Sequence, residues 1–208
     1  MKKYKVYLFD FEGTLFDTSK GLNYVFKEAF KVAGVKVEDK DIPYLSRVPL
    51  KESFDTLGGD YNKADEFVKR IEEALDEEPA IKTTLKFPEI DEFLSYIKNN
   101  DVLCGIVTSN NVNHVFKILD FFHLDHDYFK TYIGVDKSVE VKPSPKPILM
   151  ALSELGYKGD LKDVVYVGDS HNDCLAAINA GISYYLIERD EDRDLEFPKI
   201  YSLMELFN

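Results

Sequence analysis

Positive charge, paired cysteines and long apolar runs are what this chain has least of, and each shortage removes a class of function. Against 38 Asp and Glu stand only 26 Lys and Arg, a formal charge of −12. A field of that sign repels a phosphate backbone at long range, so nucleic acid is not an expected partner. The two cysteines, Cys104 and Cys174, lie far apart without CxxC or Cys/His ligand spacing. They read as reduced, buried thiols of a cytoplasmic protein rather than as a disulfide framework. The apolar stretch in MKKYKVYLFD ends in an acid after six or seven residues. Neither a signal peptide nor a membrane partner is expected from it. Internal repeats and low-complexity tracts are also missing. What remains is a 208-residue chain, 45% hydrophobic, long enough for one large domain or one domain carrying a smaller insertion.

Short apolar runs alternate with helical patterns along most of the chain. YKVYLF (4–9), VLCGIVT (102–108), YIGV (132–135), VVYVG (164–168) and YYLI (184–187) are rich in β-branched and aromatic residues and read as buried parallel strands. Helix marks fall between the later runs, over 88–100, 111–122, 144–156 and 171–181, the last two closed by glycine. This alternation predicts an α/β fold, a doubly wound parallel sheet whose ligands sit beyond the carboxyl ends of the strands. Residues 19–82 break the rhythm with helical patterns at 20–33, 48–57 and 61–77 and no convincing strand. They are expected to form a small α-helical insertion, with 1–18 and 83–208 making the core domain. The charged run ERDEDRDLE (188–196) is expected to be a solvated surface loop.

Chemistry concentrates where the strands end. DFEGTLFDT (10–18) presents Asp10 and Glu12 one residue apart, the second strand runs into Thr108, Ser109 and Asn110, VEVKPSP carries Lys142, and GDSHND carries Asp169 and Asp173. Three aspartates supply hard oxygen ligands suited to Mg²⁺. A lysine and a Ser/Thr hydroxyl, with nearby backbone N–H groups, suit phosphate oxygens. A metal, a phosphate and a spare carboxylate together point to phosphoryl transfer. His171, inside GDSHND, reads as an exposed loop residue because Mg²⁺ prefers oxygen.

The four segments DFEGTLFD, GIVTSN, VKPSP and VYVGDSHND, with AAINAG trailing, resemble in order and spacing the motifs of the haloacid dehalogenase superfamily, in its phosphatase and phosphomutase branch. Together they span residues 10–181. The resemblance implies a Rossmann-like core and a mobile helical cap, here 19–82, that closes over a small phosphorylated metabolite such as phosphoglycolate or a sugar phosphate. It implies that Asp10 is the nucleophile, passing through an aspartyl-phosphate, and that Glu12 is the general acid/base. Mg²⁺ would be held by Asp10, the main-chain carbonyl of Glu12, Asp169 and Asp173, the last directly or through water. Thr108 and Lys142 would grip phosphoryl oxygens, Ser109 and Asn110 standing beside them. Gly13 would allow the tight path after the acids and Thr14 would brace it by a side-chain hydrogen bond.

Relatives of this branch mostly carry aspartate where Glu12 stands. Glutamate is one methylene longer and moves the carboxylate by about 1.5 Å, a scale of displacement that can cost about a hundredfold in rate. A working acid/base is still expected, because the chemistry of the side chain is kept and its backbone carbonyl is untouched. Asp173 has a second reading as a cap of the helix after GDS. A phosphomutase would share every core residue; a metal-independent dehalogenase would have no use for Glu12 or the GDSHND acids; a non-catalytic binding protein of this fold is the remaining alternative. In SRVPLKES (46–53), Arg47 and Lys51 are candidates for contacting a substrate carboxylate, hydroxyl or second phosphate, or else solvated helix residues. A monomer or weak dimer is expected.

Overall fold

The computed structural model describes residues 4–45, 50–189 and 196–207. The chain divides into two compact units, residues 1–17 with 86–208, and residues 18–85. In chain order the first unit opens with β1 (Val6–Phe9), followed by the two-residue β2 (Phe16–Asp17). The second unit holds α1 (Ser19–Ala33), α2 (Ile42–Leu45), α3 (Leu50–Thr56), α4 (Ala64–Leu75) and α5 (Glu78–Ile81). The two-residue β3 (Leu85–Lys86) leads back to the first unit, which continues α6 (Ile90–Asn99), β4 (Cys104–Val107), α7 (Val112–Phe121), β5 (Tyr132–Ile133), α8 (Lys146–Glu154), β6 (Val164–Gly168), α9 (His171–Ala180), β7 (Ser183–Ile187) and β8 (Lys199–Ile200).

Among the described residues the main sheet runs in the order β5-β4-β1-β6-β7-β8, every pairing parallel. The strand runs are continuously apolar because both faces are covered. Side chains alternate between two cores. Val6 and Leu8 of β1, with Val164 and Tyr166 of β6, face Ile148, Ala151, Ala176 and Ala177 from α8 and α9. Tyr7 and Phe9, with Val165 and Val167, face Phe93, Ile97, Val115 and Ile118 from α6 and α7. This is the doubly wound α/β arrangement the alternating runs predict. The chain leaves β1 toward β4 and β5 on one side and returns to β6, β7 and β8 on the other. The crevice of such a sheet lies at that reversal, above β1.

The 18–85 unit has its own core. Phe26 and Phe30 on α1, four residues apart and so on one helical face, meet Phe54 of α3 and Phe67 of α4, with ring centroids 4.6 Å apart for Phe30 and Phe67 and 5.0 Å for Phe54 and Phe67. At its polar edge Arg70 pairs with Glu77 at 2.7 Å and Glu28 at 3.3 Å.

Two expectations need correction here. Glu188 and Arg189, read as the start of a solvated run, are largely buried. Glu188 pairs with Lys199 at 2.6 Å, and Arg189 pairs with Glu89 at 2.8 Å while its guanidinium lies 3.7 Å from the centre of the Phe87 ring. These partners are what lets the two charged side chains be buried; residues 190–195 of the same run lie outside the described residues. Thr14 is fully buried, but its hydroxyl makes no hydrogen bond among the described residues. The loop is braced through the Thr14 carbonyl instead, which accepts from the Arg189 guanidinium at 2.5 Å. Among the described residues no helix is long and apolar enough to cross a membrane.

Candidate active site

Three adjacent strands, spaced by about 4.8 Å each, deliver the site. β1 hands over Asp10, whose N–H donates to Val167 O of β6 at 2.8 Å. β4 hands over Thr108, whose N–H donates to Ile133 O of β5 at 2.9 Å. β6 ends at Gly168 and is followed by Asp169. The loop between β5 and α8 brings in Lys142, 7% exposed although it is a lysine.

Lys142 is the electrostatic centre. Its Nζ lies 2.8 Å from Asp10 Oδ1, as a charge contact rather than an aligned hydrogen bond, and donates to Asp173 Oδ1 at 2.6 Å. It also reaches Tyr166 Oη at 3.2 Å, while that hydroxyl donates to Val107 O at 2.8 Å. Burial opposes the charge on Lys142, but the Asp10 and Asp173 carboxylates outweigh it and hold the ammonium above its ordinary value. Burial, then the Asp173 charge, pushes the Asp10 carboxyl well above the ordinary range, against the pull of Lys142. Burial and the same Asp173 charge raise the Tyr166 hydroxyl, so it stays a neutral donor.

Asp173 serves two structures at once. Its Oδ2 accepts from Ser170 N at 3.0 Å and from Ser170 Oγ at 2.5 Å, while Asp173 N donates to Ser170 Oγ at 3.2 Å. This is a reciprocal capping box at the start of α9. With Lys142 and Tyr166 on the other oxygen, Asp173 is both helix cap and site acid. Both of its oxygens carry donors, which favours a water-mediated place beside a metal over a direct bond.

Asp10, Asp169 and Asp173 each offer an oxygen, and these oxygens lie within 4.8 Å of one another. An octahedral cation with bonds of about 2.1 Å sets its ligands roughly 3 to 4.2 Å apart. With Glu12 added, four acids stand against Lys142 and, acting on Asp169, Arg189, an excess of negative charge that a divalent ion would offset. The donor set therefore fits Mg²⁺. The carboxylates are seated against bare main chain. Gly13 has φ +70°, and a methyl there would come 2.6 Å from Asp169 Oδ2. A methyl on Gly168 would collide with the Asp173 carboxyl. Only glycine tolerates both the left-handed backbone at 13 and the close approach at 168.

Glu12 turns toward β4: its Oε2 accepts from Thr108 Oγ1 at 2.7 Å. The Thr108 hydroxyl accepts in turn from Asn110 N at 3.0 Å. Ser109 is exposed and Asn110 half-buried at the rim. Lys51 is exposed and pairs with Asp65 at 3.0 Å within the helical unit. Arg47 lies outside the described residues. His171 is exposed, as expected, but begins α9 and packs against Phe197 at 5.5 Å between ring centroids. His114, on the first turn of α7, had no place in the sequence reading; its Nε2 lies 3.8 Å from Glu12 Oε1. The available signal was an imidazole among Val112, Val115, Ile118 and Leu119, where a hydrophobic residue would pack as well.

A doubly wound parallel sheet with buried acids and a buried lysine at its switch point is the architecture of a hydrolase class that the motifs already resemble. The chain belongs to that class: the haloacid dehalogenase-like hydrolase family matches it over residues 7–187. Among individual proteins, the pyrophosphatase PpaX of Oceanobacillus iheyensis is 28% identical over 175 residues, covering 84% of this chain and 79% of that protein. The phosphoglycolate phosphatase of Aquifex aeolicus is 28% identical over 186 residues, covering 85% and 81%. A solved structure from Bacteroides fragilis, described as a haloacid dehalogenase-like hydrolase, superposes with a TM-score of 0.84 at 28% identity over 98% of this chain and all of that one. A haloacid dehalogenase-like family protein from Streptococcus pneumoniae shares the fold at 23% identity, with a TM-score of 0.76 over 100% of this chain and 91% of that one.

Proposed function

We propose that this enzyme is a Mg²⁺-dependent phosphatase that hydrolyses a small phosphorylated metabolite by way of an aspartyl-phosphate on Asp10. The observation that carries the reading is the juxtaposition at β1: the Asp10 carboxylate lies 2.8 Å from a buried lysine and shares a cluster of oxygens with Asp169 and Asp173. The names of the pyrophosphatase and phosphoglycolate phosphatase relatives support a small, highly charged phosphate compound as substrate.

In this reading Asp10 Oδ attacks phosphorus in line and the bond to the leaving oxygen breaks, that oxygen taking a proton from Glu12. Glu12, now ionised, takes a proton from water, whose oxygen attacks the phosphorus of the aspartyl-phosphate. Phosphate leaves and Asp10 is restored. Lys142 balances the negative charge gathered at Asp10, and the Thr108 hydroxyl turns from Glu12 to a phosphoryl oxygen. Asp10, the Glu12 carbonyl and Asp169 would hold Mg²⁺, with Asp173 at one remove. When bound, the ion supplies the positive charge that keeps Asp10 ionised despite its burial.

The experiment is phosphate release from a panel of phosphorylated small metabolites, with Mg²⁺ and with chelator, joined to mass-spectrometric trapping of the phosphorylated chain. Activity with Mg²⁺ and a label on Asp10 are expected. Glu12→Gln should lower kcat by about 10²–10⁴-fold, the usual contribution of general acid/base catalysis. Turnover without a label on Asp10 would overturn the nucleophile assignment, and an unslowed Glu12→Gln enzyme would overturn the role of Glu12.

A further inference from the structure

The geometry points to His114 as a positioning residue that holds the Glu12 carboxylate, matched to glutamate and out of reach of aspartate. The inference rests on the reading of Glu12 as acid/base. Glu12 Oε2 is fixed by the Thr108 hydroxyl at 2.7 Å. Its other oxygen, Oε1, is enclosed and accepts no hydrogen bond among the described residues. An enclosed, unsatisfied carboxylate oxygen is costly, and the polar atom that faces it is His114 Nε2, 3.8 Å away. That gap is longer than a hydrogen bond; contacts of this kind commonly tighten when substrate binds.

His114 is itself well placed to aim another group. It is 4% exposed and sits on the first turn of α7, an element whose start is tied down where Val112 N donates to Asp136 Oδ1 at 3.0 Å. A polar ring buried on the apolar face of a helix is the informative exception among core residues. Length decides the match. Withdrawing the carboxylate by one carbon–carbon bond, about 1.5 Å, puts it well beyond reach of the imidazole. In the proposed reaction the Thr108 hydroxyl is taken up by a phosphoryl oxygen, which leaves His114 as the remaining hold on Glu12. The longer side chain, with its extra freedom, is thereby given a second anchor.

The test is a double-mutant cycle on purified full-length protein with phenyl phosphate and p-nitrophenyl phosphate, comparing parent, His114→Ala, His114→Gln, Glu12→Asp and the Glu12→Asp/His114→Ala pair. His114→Ala should lower kcat on phenyl phosphate about tenfold or more, in line with the cost of a misplaced group, with KM within about twofold. The loss should be smaller on p-nitrophenyl phosphate, whose leaving group needs protonation less. His114→Gln, which keeps an N–H donor near the same point, should recover most of the rate. In the Glu12→Asp background His114→Ala should cost nothing further. The ¹⁵N shift of His114 Nε2 should move in Glu12→Asp, a readout independent of turnover and of any weakly folding variant. Parent-like kcat in both His114 variants, an unmoved Nε2 resonance, or an undiminished cost in the Glu12→Asp background overturns the pairing. If Glu12→Gln is slow while the His114 variants are not, only the pairing falls; if Glu12→Gln is as fast as parent, the acid/base reading falls instead.

Discussion

Replacing Lys142 by methionine keeps the unbranched stem and removes a cation that stands between two buried carboxylates. The distances are 2.8 Å to Asp10 and 2.6 Å to Asp173, and the three side chains are 3%, 9% and 1% exposed. At an effective dielectric of 20, the contact with Asp173 is worth roughly 6 kcal/mol of gross Coulomb attraction, and the contact with Asp10 adds to it only to the extent that its raised carboxyl is ionised. Burial of the three charges offsets much of this, and breaking a buried pair by removing one partner costs about 3–5 kcal/mol. Stability of a domain is about 5–15 kcal/mol in all, so the loss is a large share. For a chain of this size about 2–4 °C of Tm go with each kcal/mol, and Lys142→Met should melt roughly 6–20 °C below the parent at neutral pH without divalent cation. Because methionine fills the stem's volume, a cavity does not account for the difference. The decisive arm is Lys142→Met/Asp10→Asn, which removes one of the stranded acids and should regain more than about 1 kcal/mol over Lys142→Met, within the usual range of coupling between touching residues. Urea unfolding of the parent, Lys142→Met, Asp10→Asn and the double variant measures it. A Lys142→Met loss below about 1 kcal/mol, or a double variant no more stable than the single one, would refute the electrostatic account of the site.

Two more predictions follow from the same cluster. Mg²⁺ at a hundred times its Kd should stabilise the protein by about 2.7 kcal/mol, visible as a rise of several degrees in Tm, and Asp169→Asn should abolish that rise; an equal rise in the variant would place the ion elsewhere. Because burial raises the Asp10 carboxyl, the folded chain holds a proton there that the unfolded chain has released. Stability without metal therefore falls as pH climbs from the ordinary carboxylate range through the raised value. Relative to Asp10→Asn, which carries no charge at any pH, the parent should lose ground across that window at up to about 1.4 kcal/mol per pH unit. A pH-independent difference in urea unfolding would speak against it.

What could be read from the residues depended on how many of them carried the signal. The runs at 102–108 and 164–168 announce strands because several β-branched residues in succession must all be buried, and β4 and β6 lie within them. The two-residue β8 has no period to detect, so that edge of the sheet was not legible, whereas β5 at the opposite edge lies within the apolar run YIGV. Glu188 and Arg189 were misread because composition reports charge but not the partners, Lys199 on the following strand and Glu89 from far earlier in the chain. The site acids were legible through the fixed spacing of DFEGT and GDSHND. Whether Asp173 capped a helix or served the site could not be decided from spacing, since both demand a short acid three residues after Ser170, and it does both. His114 was hidden because a single histidine on an apolar helix face looks like packing until Glu12 is seen opposite it.

The glycines beneath the acids set how this enzyme can be altered. Asp169 and Asp173 rest on the main chain of residues 13 and 168, where the smallest added side chain meets a carboxyl group. The floor of the crevice is therefore made of atoms common to every residue, and no exchange of amino acid can resurface it. Libraries randomised at those two positions would sort clones by foldability and say nothing of selectivity, so attempts to retune this catalyst have to begin at its walls.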